Sequence, residues 1–315
     1  MNFTRFFESN YDKFPFVSVS AYEKDCCEGQ KSVISYLNRY SFALNKKKLI
    51  VVAEVYTGVD DVIFDYIKNN YQYNYCFMAS DAYKTEEDIN RLVYPDVTDD
   101  EVFGYMTKLE MSDFFENNKL DGIKAEINNI ESGIVLIIGS GASLFAEADL
   151  LLYFDMPRWE AQLRFRRNEI SNLGVDNKTE KAALQYKRAF FVDWRVCDRL
   201  KQKLMNKWDF VIDTVDNLNP KMLSAALYFA ALDKLVHQPF RLVPFFDPGP
   251  WGGQWMKEVC GLDKEVENFA WCFDCVPEEN SLLIKAGEVM FETPAINLVF
   301  RAPEALLGSE IYNRF

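Results

Sequence analysis

Four short runs of consecutive apolar residues stand out in the first two-thirds of the chain, and stretches with helical spacing separate them. Continuous apolar runs of this length are typical of strands that are buried on both faces of a parallel sheet. The helical stretches between them supply the crossover connections. The pattern therefore predicts an α/β domain with strands at residues 49–53, 134–138, 150–154 and 210–214.

The pattern changes near residue 238. Prolines and glycines become frequent, the apolar runs shorten, and aromatic residues alternate with polar ones, as in residues 269–274. Such alternation favours antiparallel strands with one buried face. We therefore expect two domains, an α/β domain over residues 1–238 and an antiparallel β domain over residues 239–315.

Composition narrows the class of protein. The chain has 315 residues, of which 49% are hydrophobic, but no run of about eighteen apolar residues that would predict a membrane span. Residues 1–5 lack the basic and apolar regions of a secretory signal, and the seven cysteines are an odd number. These features predict a cytoplasmic protein with reduced thiols.

Charge is distributed unevenly. The net charge of −13 argues against nucleic acid as a partner, because phosphate backbones require a basic face. Residues 158–207, however, contain 13 Lys and Arg against 6 Asp and Glu. This segment is either a site for a phosphorylated small molecule or the solvated face of a long helix.

The loop after the first predicted strand occupies the place of a phosphate loop in a nucleotide-binding sheet. A working phosphate loop needs several glycines and a Gly-Lys pair, which turn backbone amides and a positive charge toward the phosphates. Residues 54–61 contain one glycine, Gly58, and the chain has no Gly-Lys pair. Asp60 and Asp61 would repel phosphate, so we expect no ATP site here.

Two other local patterns are predicted to be structural. Gly139-Ser140-Gly141 follows a strand, but the third glycine of a dinucleotide fingerprint would fall at Leu144, so a tight turn explains the pair. Cys272 and Cys275 lack a second pair of ligands at zinc-binding spacing. No metal site is therefore predicted within this chain.

Candidate chemistry is sparse. The single histidine, His237, lies at the predicted domain boundary and excludes a histidine relay, so no catalytic residue is assigned. Residues 155–167 begin a helix on which Arg164 and Arg167 share a face. The segment resembles, in degenerate form, the arginine-bearing helix of nucleoside and nucleotide kinases, which closes over phosphates. Arg164, Arg166 and Arg167 are the possible phosphate-binding residues, unless the helix binds nothing.

The C-terminal segment resembles a known family. Residues 242–259, which include Trp251, Gly252 and Gly253, are similar to the opening of class I mannose-6-phosphate isomerases. Residues 269–281 and 302–308 resemble the next elements of these enzymes. The N-terminal two-thirds resembles the uridine-kinase-like, P-loop-like region that precedes the isomerase in some bacterial members.

The resemblance implies a cupin-like β-barrel and a carbohydrate-metabolism activity, the interconversion of mannose 6-phosphate and fructose 6-phosphate. The family cofactor is a zinc ion held by one Gln, one Glu and two His. The chain has one histidine, so we expect it to stop before the zinc-binding strands and to be inactive alone. The alternative is a phosphotransferase-like or nucleotide- or phosphometabolite-binding regulatory module.

Overall fold

The computed structural model describes residues 16–21, 25–59, 61–237, 258–259, 261 and 280–303. Its strands are β1 Phe16–Val19, β2 Cys26–Glu28, β3 Lys48–Val55, β4 Tyr75–Met78, β5 Gly133–Gly139, β6 Leu150–Asp155, β7 Phe210–Asp213, β8 Lys221–Ser224, β9 Ser281–Ala286 and β10 Val289–Pro294. Its helices are α1 Gln30–Ala43, α2 Asp61–Asn70, α3 Glu86–Val97, α4 Asn117–Asn129, α5 Arg158–Arg166, α6 Ala182–Arg188, α7 Trp194–Leu204, α8 Ala225–Val236 and α9 Ile296–Arg301. Over these ranges, no helix has the length and apolar character to cross a membrane.

A seven-stranded sheet in the order β2-β8-β7-β6-β3-β5-β4 forms the centre of the fold. The four predicted strands are β3, β5, β6 and β7, which run parallel to one another in the middle of the sheet. Their apolar runs are almost entirely buried, as strands covered by helices on both faces require. The predicted α/β class is confirmed.

A second, three-stranded sheet has the order β1-β9-β10. Strand β9 pairs parallel with β1 and antiparallel with β10. Leu282, Ile284, Phe291 and Leu298 from this C-terminal segment belong to the same hydrophobic core as the large sheet. The described parts on the two sides of residue 238 therefore share one core. The predicted motif residues Trp251, Gly252, Gly253, Cys272 and Cys275 lie outside the described residues.

Hydrogen bonds around a buried ion pair join the C-terminal segment to the large sheet and its helices. At the end of β6, Asp155 contacts Lys201 of α7 at 2.9 and 3.1 Å, and both side chains are almost fully buried. Asn297 of α9 donates to Asp155 at 2.8 Å. Trp159 of α5 donates through Nε1 to Ser281 at 2.7 Å and to Glu292 at 3.2 Å.

Burial of basic side chains explains part of the positive charge of residues 158–207. Five of its basic side chains are buried within the fold, so the segment as a whole is not a solvated helix face. They are Arg158, Arg164, Lys187, Arg188 and Lys201.

Candidate functional site

A crevice of about 610 Å³ opens at the carboxyl ends of β3, β4 and β5. Strands β4 and β5 lie on one side of β3, and β6 and β7 lie on the other, so the topology reverses at β3. In open α/β sheets, ligands bind outside the carboxyl ends of the strands at such a reversal. The crevice is therefore the candidate site.

The loop from β3 to α2 forms one wall of this crevice. Gly58 has a φ of +102°, a conformation that glycine adopts without strain. The carbonyl oxygen of Gly58 accepts a hydrogen bond from Arg164 Nη1 at 3.0 Å. Tyr56 is buried, and its hydroxyl donates to Asp198 at 2.9 Å. Side chains of α5 and α7 thus hold the loop in place.

Glu54 ties this wall to the loop that follows β5. Its carboxylate accepts hydrogen bonds from the amide of Gly141 at 2.6 Å and from the amide of Ser143 at 2.8 Å. Burial raises the pKa of Glu54 to about 7, although the two amide hydrogen bonds act in the opposite direction. The two amides are therefore satisfied by a side chain of the protein and are not available to a phosphate ligand.

The turn Gly139-Ser140-Gly141 forms the floor. A Cβ atom at Gly141 would lie 2.7 Å from the Phe115 ring, and one at Gly139 would lie 2.9 Å from the Cβ atom of Ala79. Both glycines also have positive φ values. Close packing therefore requires them, as the interpretation of a tight turn predicts. Ser140 Oγ donates to the carbonyl of Val55 at 2.8 Å, which joins the floor to the wall.

The outer wall comes from residues 169–176, between α5 and α6. Asn172 is buried and donates through Nδ2 to Asp193 at 2.6 Å and to the carbonyl of Gln185 at 3.0 Å. Lys178 reaches across the mouth to Asp61 at 2.8 Å. These contacts hold the wall opposite the ends of the strands.

The crevice combines hydroxyl groups with an excess of carboxylates. Thr57, Ser80, Ser140, Ser171 and Tyr83 supply the hydroxyl groups. The charged residues that line it are Asp61, Asp65, Glu169 and Asp176 against Lys68 and Lys178. Carboxylates accept hydrogen bonds from ligand hydroxyl groups but repel phosphate. The lining therefore suits an uncharged or cationic polar ligand.

The three predicted phosphate-binding arginines do not line the crevice. Arg164 is buried, and its guanidinium donates to Glu160 at 3.0 Å and to the carbonyl of Thr214 at 2.6 Å. Arg167 pairs with Glu160 and Glu169. Arg166 is exposed. Phosphate binding by these residues stays a prediction, in which Arg164 would have to leave internal partners.

The metal that the family resemblance implies does not fit the donors of this chain. His237 is the single histidine, and it is the exposed residue that ends α8. Across the described ranges, no group of three or more His, Cys, Asp or Glu side chains is placed to hold a metal ion. A site that needs two histidines cannot be assembled from these residues.

Sequence reasoning missed the buried carboxylate of Glu54 and the wall formed by residues 169–176. A signal for Glu54 was present, because a charged residue inside an apolar strand is rarely buried without a partner. Its partner amides lie 87 and 89 positions further along the chain, and no local pattern indicates that distance.

Comparison with curated proteins finds no match for this chain. A family described as a domain of unknown function, DUF8485, matches residues 29–237. The matched region begins just before α1 and ends just after α8, so it contains six of the seven strands of the large sheet, all except β2, and the whole crevice. The chain belongs to the DUF8485 family.

Proposed function

We propose that the α/β domain binds a small, hydroxyl-rich and uncharged metabolite, of the sugar or nucleoside class, in the crevice at the ends of β3, β4 and β5. The observation that carries the proposal is the lining of this crevice, in which hydroxyl groups and carboxylates converge at the topological reversal of the sheet. A volume of about 610 Å³ is in the range of small-molecule sites.

The layout supports a kinase-like origin without phosphoryl transfer. A loop leads from the central strand β3 into the N-terminus of α2, where a kinase-like fold would place phosphate. Here Asp61 lies in the first turn of α2, and Glu54 occupies the nearby amides of Gly141 and Ser143. Asp61 opposes a phosphate at this position by its charge, and Glu54 occupies amides that could otherwise bind one, so the domain is proposed to act as a binding module.

Calorimetric titration of the full chain tests this proposal. The probes are uridine and mannose, each compared with its monophosphate, and ATP. We expect at least one of the uncharged probes to bind, and its monophosphate to bind about tenfold more weakly, because the carboxylates repel it. Tighter binding of a monophosphate or of ATP would contradict the proposal, and so would the absence of binding by both uncharged probes.

A matched pair of variants locates the site. Ser80 and Ser112 are both exposed and are both the second residue of a 3₁₀ turn, but only Ser80 lines the crevice. We expect Ser80→Trp to fill the crevice and abolish binding, whereas Ser112→Trp leaves it unchanged. Equal binding by the two variants would place the ligand elsewhere.

The isomerase relationship is a second proposal, and the motif Trp251-Gly252-Gly253 with its following elements supports it. A coupled assay measures conversion of mannose 6-phosphate to fructose 6-phosphate with added zinc. We expect no turnover by residues 1–315, because they contain one histidine where the family site needs two. Robust turnover would contradict that expectation.

A further inference from the structure

The segment that follows α3 exposes an unusual number of large apolar side chains. This segment, residues 98–108, is here named the aromatic loop. Single exposed apolar residues are ordinary, but a cluster marks a binding surface. The apolar residues of the loop and of the adjoining end of α3 that are more than half exposed are Tyr94, Val102, Phe103, Tyr105 and Met106.

Hydrogen bonds fix the backbone of the aromatic loop. Asp100 Oδ1 accepts from the amides of Val102 and Phe103, both at 2.7 Å. Thr98 Oγ1 donates to the carbonyl of Phe103 at 3.0 Å. The apolar side chains are therefore presented by an ordered backbone, which lowers the entropic cost of binding a partner.

The aromatic loop is also held against the body of the protein. The amide of Tyr105 donates to the carbonyl of Asp96 at 2.7 Å, and the amide of Thr107 donates to the carbonyl of Phe191 at 3.0 Å. A Cβ atom at Gly104 would lie 2.5 Å from the Asp96 carbonyl oxygen, so only glycine permits this approach. Lys187 of α6 donates through Nζ to the carbonyl of Asp100.

A groove of about 840 Å³ lies beside the aromatic loop, between α3 and α6. Its apolar lining comes from Val93, Tyr94, Val97, Val175, Ala183 and Leu184. Its exposed charged residues are Glu86, Asp99, Asp100, Glu101, Asp176 and Glu180 against Lys181. The other two cations of the lining, Lys187 and Arg188, are buried and donate to backbone carbonyls of the protein.

We infer that the aromatic loop and this groove bind a protein segment in which large apolar side chains are flanked by lysine or arginine. The apolar groups of the partner would pack against Phe103, Tyr105 and the groove, and its basic groups would meet the acidic rim. A second copy of this chain fits less well, because the net charge is −13 and two acidic rims would face each other.

Fluorescence anisotropy with the full chain tests the inference. The probes are a labelled amphipathic peptide of leucine, phenylalanine and lysine, a version with glutamate in place of lysine, and a version with serine in place of the apolar residues. We expect the first peptide alone to bind, with an affinity that falls as salt is raised. If the serine version binds with the same affinity as the first peptide, charge attraction alone explains binding and the inference is overturned. Failure of the first peptide to bind would also overturn it.

Matched variants assign the surface. Phe103→Ser with Tyr105→Ser should weaken binding by about tenfold or more, since exposed aromatic anchors dominate such interfaces. The control is Phe42→Ser with Leu218→Ser, which removes two apolar residues, in α1 and in the loop before β8, that are at least as exposed as Phe103 and Tyr105. Equal losses in the two double variants would overturn the inference. If sedimentation shows a dimer that Phe103→Ser with Tyr105→Ser abolishes, the partner is a second copy of this chain and the inference of a basic partner is wrong.

Discussion

Removing the buried cation of Lys201 should destabilise the protein strongly. Its ammonium lies in the core, 2.9 and 3.1 Å from the two carboxylate oxygens of Asp155 and 4.1 Å from the centre of the Tyr56 ring. Both charged side chains are shielded from water. Lys201→Met keeps much of the side-chain volume but leaves the Asp155 carboxylate with Asn297 and the amide of Met156 as neutral donors.

The expected loss is about 3–5 kcal/mol, the usual cost of leaving one member of a buried ion pair without its partner. Total stabilities of domains are of the order of 5–15 kcal/mol, so this loss is a large fraction of the whole. For a chain of this size, it corresponds to a decrease in Tm on the order of 10 °C.

Urea unfolding, followed by far-UV circular dichroism, measures the loss. Lys203→Met is the matched control, because Lys203 is two residues further along α7 and pairs with Glu110 on the surface. An exposed pair of this kind contributes about 1 kcal/mol or less. Equal stability of the two variants would refute the reasoning. Adding Asp155→Asn to Lys201→Met should recover part of the loss, because it removes the unpaired charge.

Two further predictions concern pH and backbone geometry. Burial raises the pKa of Glu292 to about 7 and that of Asp213 to about 6, so the native state holds protons that the unfolded state releases. The stability that these protonated carboxyl groups contribute is complete at about pH 4 and is lost as pH rises toward 7, by about 3 kcal/mol for Glu292. The urea midpoint of Glu292→Gln should therefore fall less between pH 4 and pH 8 than that of the unsubstituted protein. An equal fall in the two proteins would contradict the assignment. Gly141→Ala should cost more than 2 kcal/mol or so, because its φ is +85° and the Phe115 ring leaves no space. Gly122→Ala in α4 has open space and should stabilise by up to about 1 kcal/mol; thermal unfolding that ranks the two glycine variants equally would contradict this account.

The central strands were predictable because a strand that is buried on both faces has a continuous run of apolar residues in its sequence. Strand β5, for example, is buried from Val135 to Gly139 and reads as such in the sequence. Strands β2, β4 and β8 have three or four residues and incomplete burial, so they carry no comparable signal. Strand β7 also has four residues, but all four are buried, so burial decides which strands the pattern indicates.

The candidate site was less predictable, because its side chains come from distant parts of the chain. The position of the loop after β3 and the structural role of Gly139 and Gly141 follow from local pattern. The role of Arg164 does not, because its partners at Gly58 and Thr214 are 106 and 50 residues away. An arginine on a helix after a strand reads equally as a ligand for phosphate and as an internal clamp.

Hydrogen–deuterium exchange of the full chain, with and without a saturating uncharged sugar or nucleoside, tests the central claim most directly. The account predicts slower exchange in the loop of residues 56–59 and in the turn of residues 139–141, and no such change in the Ser80→Trp variant. Protection confined to residues 158–167, or protection of the crevice by a phosphorylated compound but not by its uncharged counterpart, would contradict the account.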